Sequence, residues 1–148
     1  MTYSGRIIGI AWRPKAKAAM QTGQQAMITR FAGLLDDAKG KPGKRQLTLL
    51  SQAQWQAACD ELQVQLPWTV RRANLLVEGL QFGPHMLGQQ IKIGQLLLLI
   101  TGETDPCIKM DRQQPGLRQA LTPDWRGGVC CQVLADGKVH LGDRLEIS

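Results

Sequence analysis

The chain has 148 residues, which suits one domain over 1–148 that buries about two-thirds of its unfolded surface. Eighteen Lys and Arg stand against twelve Asp and Glu, a formal charge of +6. That surplus favours an anionic partner: nucleic acid, a phosphorylated cofactor or an acidic membrane surface. No basic stretch followed by an apolar one opens the sequence, and no window is long enough to span a bilayer. A cytoplasmic protein without membrane attachment is therefore expected.

The first element predicted is a strand over Gly5–Trp12, where Ile7, Ile8 and Ile10 are β-formers and Pro14 ends the run. Arg13, Lys15 and Lys17 follow as a cationic turn. Residues 21–35 are apolar without firm periodicity. Ala38–Lys44 reads as a flexible basic loop, and because no aromatic interleaves its lysines it offers no platform for base stacking. Arg45 and Gln46 lead into a strand over 47–50. Ser51 then serves as N-cap of a helix with Gln54 placed to close a capping box. Trp55, Ala58, Cys59 and Leu62 share that helix's apolar face. Cys59 is thereby assigned to the core.

Arg71 and Arg72 precede Asn74-Leu-Leu-Val-Glu-Gly79, a strand with a charged mouth. Adjacent strand residues point to opposite faces, so one of the two arginines at most is expected to face a site. His85, in a Gly-bounded loop, is expected at the surface. Ile91 and Ile93 alternate with polar residues, Gly94 turns the chain, and Leu96–Ile100 is an apolar run of strand length. From Thr101 to Met110 the sequence turns polar, with Gly102 and Pro106 set against continued helix or sheet. A buried strand thus delivers a loop carrying Cys107 to a mouth of the core, the kind of place where functional residues sit. Lys109 supplies positive charge two residues on, which favours the thiolate, the form that ligates metals and accepts sulfur.

Pro115–Leu121 has the length of one or two helical turns. Val129–Leu134 is a strand that sends Cys130 and Cys131 to opposite faces, so no bond between them is expected. Asp136-Gly137 predicts a hairpin with 138–141 as return strand, and Gly142-Asp143 a further turn before 145–147. The four cysteines contain no Cys-x-x-Cys and there are two histidines, which points to reduced thiols and away from structural zinc. Many short strands, Gly/Pro turns, one clear helix and short helical turns describe a mostly β protein, a compact barrel.

Arg72-Ala-Asn74-Leu-Leu-Val-Glu-Gly79, Ile91-Lys-Ile-Gly94, Asp105-Pro-Cys107-Ile-Lys-Met110 and Gly137-Lys-Val-His-Leu-Gly142-Asp143 resemble, in that order, the MOSC domain. This is the domain at the C-terminus of molybdenum cofactor sulfurases and in amidoxime-reducing proteins; Gly33-Leu-Leu-Asp-Asp and Lys44-Arg-Gln-Leu-Thr-Leu-Leu are similar to its small stand-alone bacterial members. The resemblance implies a β-barrel that binds a molybdenum–pterin cofactor, with Cys107 as the catalytic residue, carrying sulfur as a persulfide or ligating molybdenum. Many relatives have a second cysteine where this chain has Met110. The pyridoxal-phosphate desulfurase of the larger relatives is not part of the sequence, so a cysteine desulfurase or a redox partner is implied. Reduction of N-hydroxylated compounds, an oxidoreductase activity, is the reaction of some relatives.

Chemistry read from the residues agrees. Lys15 or Lys17, Arg45 and Arg72, with Lys109, are expected to gather at a barrel mouth and hold a dianionic phosphate by charge-assisted hydrogen bonds. Asn74 offers donor and acceptor to an amide-like pterin edge. A soft thiolate at Cys107 suits molybdenum. Two alternatives stand beside this: a non-catalytic protein that binds or delivers the cofactor, and a basic β-barrel that binds nucleic acid.

Overall fold

The computed structural model describes residues 1–148. Its strands are β1 (Tyr3–Trp12), β2 (Gln21–Thr22), β3 (Gln25–Thr29), β4 (Gly33–Leu34), β5 (Leu47–Ser51), β6 (Leu75–Glu78), β7 (Gln90–Ile93), β8 (Leu96–Glu103), β9 (Val129–Ala135), β10 (Gly137–His140) and β11 (Arg144–Ile147). The helices are α1 (Gln52–Leu62), α2 (Ile108–Gln113) and α3 (Leu117–Leu121), with single 3-10 turns at Trp68–Arg71, Pro84–Met86 and Pro123–Trp125.

Seven strands close into a barrel in the order β11-β7-β8-β9-β5-β6-β1, with β1 returning to β11 and β2 appended to the upper part of β1. The closing seam is antiparallel and sets Tyr3 against Ile147 and Arg6 against Arg144. Only β5 and β6 pair in parallel, and the connection such a pair needs is the crossover containing α1. A three-stranded sheet, β10-β3-β4, lies beside the barrel.

Strand alternation separates two apolar clusters. Inward-facing Ile7, Ile10, Leu49, Leu75, Leu98, Ile100 and Cys131 fill the barrel. On the outer face Leu50 and Leu76 pack under α1 and α3 with Trp55, Ala58, Cys59, Met110 and Leu117. Ser51 caps α1 by accepting the Gln54 N–H at 3.4 Å. The Gln54 side chain does not return to Ser51 as a capping box would. It is buried and bridges the chain at Phe82, donating to its C=O at 2.9 Å and accepting its N–H at 2.9 Å.

Four expectations are corrected here. The residues 138–141 do form a strand, but β10 pairs with β3, Val139 opposite Ala26, and not with β9. Ala135 is already paired to Leu97, and a side chain at Gly137 would stand 2.4 Å from the Leu96 nitrogen. That glycine serves a close crossing of backbones, not a hairpin turn. Second, the region of Arg71 and Arg72 is no strand: Arg71 ends a 3-10 turn and Arg72 sits left-handed at φ +64°. Third, β8 continues through Gly102 to Glu103 with a break in register, and Cys107 lies at the start of α2 rather than in mid-loop. Last, the 38–44 loop is anchored. Gly40 is buried against Ala32, where a Cβ would meet backbone oxygen at 1.6 Å, and Gln46 Nε2 donates to the Gly40 C=O at 3.2 Å.

Candidate functional site

The polypeptide leaves a cavity of about 440 Å³ between the barrel end and the outer helices. It is bounded by the chain leaving β1, the 38–46 segment entering β5, the turn before β6 and the β8–α2 connection. Each of these lies at an element's end, where the chain must leave the barrel wall and polar side chains collect.

Lys17, Arg45, Arg72, Asn74, Cys107 and Lys109 all line this cavity, so residues as far apart in sequence as Lys17 and Lys109 are brought together. Lys15 is exposed and is not among the lining residues. Arg71 lines it as well as Arg72, contrary to the expectation that one arginine at most would do so. The reason is local: the 3-10 turn and the left-handed Arg72 break the two-residue alternation of a strand.

Sequence reasoning also missed Arg13, Lys39 and Arg112. Arg112 follows Lys109 by three positions, which is one face of α2, a signal visible once the helix is recognised. Lys39 belongs to the loop expected to be flexible, and Arg13 to the turn after β1. Eight Lys or Arg and two carboxylates, Asp37 and Asp105, line the cavity. Eight against two is a surplus of six, equal to that of the entire chain.

Such crowding perturbs the cations themselves. Burial lowers the pKa of Arg13 below the ordinary arginine value and Arg72 lowers it further, while Asp37 opposes both. Asp37 also accepts the Arg13 N–H at 2.9 Å. Lys39 is likewise lowered, first by desolvation against the cavity wall and then by Arg13, Lys109, Arg72 and Arg45. Glu103, at the end of β8, moves the other way: burial and then the Asp105 carboxyl beside it raise its pKa to about 7, with Arg71 opposing.

Asn74 is buried and its amide is engaged within the protein. Oδ1 accepts the Thr48 N–H at 3.1 Å and the Thr48 hydroxyl at 3.3 Å, while Nδ2 donates to the Ala11 C=O at 3.2 Å. It ties β1 and β5 together beneath the cavity and keeps one N–H for other use. The four cysteines are all unpaired; Cys107 is exposed and the other three are buried. Burial pushes the Cys59 and Cys131 thiols up, the latter far up. Cys130 packs its sulfur 3.1 Å from Thr104 Oγ1 and Cys131 faces the barrel core, which places them on opposite faces as expected.

A closed seven-stranded barrel with an anion-attracting cavity and an exposed thiol at its edge defines the class. The profile of the MOSC domain matches residues 22–146, and the chain belongs to the MOSC domain family, which is associated with the molybdenum cofactor. Among solved structures, the YuaD protein from Bacillus subtilis superposes with a TM-score of 0.81 at 19% identity, covering 99% of this chain and 97% of that one. YiiM from Escherichia coli gives 0.71 at 20% identity over 97% of this chain and 69% of the other. YiiM from Geobacillus stearothermophilus gives 0.69 at 16% identity over 97% and 73%. The search of curated proteins finds no match. The mostly β barrel expected from sequence is the fold observed, and no helix is long and apolar enough to cross a membrane.

Proposed function

We propose that this chain binds a molybdenum–pterin cofactor in the cavity beside Cys107. One observation carries this: eight cations and an exposed thiol border the same 440 Å³ space, with two carboxylates to offset the charge. A pterin phosphate is dianionic, and guanidinium groups hold such groups through paired, charge-assisted hydrogen bonds. The donor set therefore fits the group. Lys17, Arg45, Arg72 and Lys109 would hold its phosphate, and the free Asn74 N–H would meet the pterin edge. Cys107 would ligate molybdenum or carry sulfur as a persulfide, both tasks for a soft thiolate.

The cofactor, when bound, supplies a two-electron redox centre. The protein's own residues bind and orient it, and the reaction we assign is reduction of an N-hydroxylated compound, with electrons from a separate redox partner. The sulfur-carrying role would instead need persulfide from a cysteine desulfurase. A non-catalytic role in holding or delivering the cofactor keeps the cations and dispenses with the thiol. Nucleic-acid binding is disfavoured because the cations are gathered inside a cavity rather than spread along a face, and Phe31 is the one aromatic side chain that stands out from the surface, 88% exposed.

Molybdenum analysis and pterin fluorescence on protein from a cofactor-producing host test this. Molybdenum and pterin should co-purify with the wild type and be depleted in Arg72→Ala. Cys107→Ser should abolish turnover; turnover at the wild-type rate would remove the thiol from the chemistry, and a molybdenum-loaded wild type with no turnover would leave only the holding role. Wild-type protein free of both molybdenum and pterin would remove the reading altogether.

A further inference from the structure

Of the cavity's cations, Arg71 is unlike the rest. It is 8% exposed, and no carboxylate lies within ion-pairing distance of it; the Lys and Arg ion pairs of the fold are Arg126–Glu61 and Arg144–Glu146. Its partners are neutral. Nε donates to the Gly127 C=O at 3.1 Å, Nη2 to the Thr104 C=O at 2.6 Å, and Nη1 lies 4.0 Å from the Met110 sulfur. A guanidinium has five N–H donors, and two of these are taken by the carbonyls. Arg13 is as deeply buried, and there the Asp37 charge partly offsets the cost. A buried cation without a counter-ion is costly to keep.

The contacts of Arg71 also fix where it stands. Thr104 and Met110 bracket Cys107 by three residues on either side, and Arg71, Cys107 and both bracketing residues line the cavity. Burial lowers the pKa of the guanidinium below the ordinary arginine value, and the nearby Cys107, Cys130 and Asp105 side chains oppose this. The thiol and the uncompensated cation thus share one corner of the site.

We propose that the compound reacting at Cys107 carries a negative group, a carboxylate or an oxyanion, which Arg71 seats beside the sulfur. The proposal rests on Cys107 being the reactive centre and adds to it the charge class of the substrate. Protonated amidoximes and other cationic N-hydroxylated compounds would be repelled by a cavity with six surplus positive charges. Anionic ones would be drawn in ahead of neutral ones.

Two alkylating agents of nearly equal size and opposite charge character test this on the purified chain, produced in a host unable to make the pterin. The rate of Cys107 modification by iodoacetate is divided by that for iodoacetamide, and the quotient is normalised to free cysteine; the neutral reagent controls for access and thiolate fraction. The wild-type quotient should exceed one by at least about tenfold and fall with added salt. Arg71→Gln should lower it by about tenfold, as expected for loss of one nearby charge, and Lys17→Gln by much less. A wild-type quotient near one, or equal losses in the two variants, overturns the proposal.

Should Arg71→Gln fail to fold, wild-type protein decides alone: acetate should protect Cys107 from iodoacetamide and acetamide should not. Equal protection, or none, overturns it. Metal analysis of Arg71→Gln from a cofactor-producing host separates the substrate's anion from the cofactor's phosphate. Molybdenum should be retained; its loss with the reagent preference intact would make Arg71 a cofactor ligand and not a substrate seat. A wild type without molybdenum sinks the cofactor reading and leaves the reagent result standing.

Discussion

Two side chains at the cavity show how differently a single residue can serve it. Asn74 spends its amide on the Thr48 N–H and the Ala11 C=O, so its first effect is on the fold. Asn74→Ala leaves both groups buried without their partner and should cost about 1–3 kcal/mol in urea unfolding. Retained stability would show that water replaces the amide and that its role is with the ligand. Cys107 is the reverse, exposed and held by no hydrogen bond of its own side chain within α2's start. Among the four thiols it should be alkylated first, with Cys59, Cys130 and Cys131 reacting only on unfolding. Mass spectrometry of partly labelled protein reads this directly, and a buried cysteine labelled at the same rate as Cys107 would contradict it. Both residues were recognisable from sequence. Arg71 was not, because nothing in Val-Arg-Arg-Ala announces that the chain makes a 3-10 turn there and sends the first arginine inward.

Local elements were legible where apolar periodicity was strong and tertiary pairing was not needed to define them. The isoleucines of β1 and the Ile91–Gly94–Leu96 hairpin carry their own signal. The pairing of β10 did not, since its choice of β3 over β9 depends on β9's contacts with β8, a fact spread over forty residues. The end of β8 was missed for a similar reason: Gly102 has open space around it and permits the strand to run on through an irregular register to Glu103. That extension has a pH signature. Glu103 titrates near 7 in the fold against 4.5 for the ordinary carboxyl, so the folded state holds a proton that the unfolded chain releases between those values. Its contribution to stability is complete below the lower value and is lost as pH rises through the higher one. Melting temperature should therefore decline from pH 5 to pH 8 in the wild type by more than in Glu103→Gln. Parallel profiles for the two proteins would show that Glu103 is not the group responsible.

At the scale of the whole molecule the charge asymmetry dominates: the cavity's surplus accounts for that of the chain, and the remainder is balanced. Mutual repulsion there is relieved by any anion that enters, and a ligand that binds only the folded state stabilises it by mass action. Inorganic phosphate should raise the melting temperature at low ionic strength, less in Arg45→Ala and Arg72→Ala, and hardly at all in high salt. An equal rise in wild type and variants would place the phosphate elsewhere.

The seam between β1 and β11 has a consequence for the order of events in folding. Tyr3 pairs with Ile147, so the barrel closes through contacts almost a full chain length apart. Loop-closure entropy makes such pairings late to form. The same antiparallel seam sets the two ends of the chain side by side. Joining Met1 to Ser148 through a short linker, and opening the exposed Gly94-Gln95 turn instead, would make the seam a local hairpin. Such a permutant should refold faster than the parent in stopped-flow measurements while keeping the cavity. The β7–β8 hairpin, now formed early between near neighbours in sequence, would become the last closure in its place.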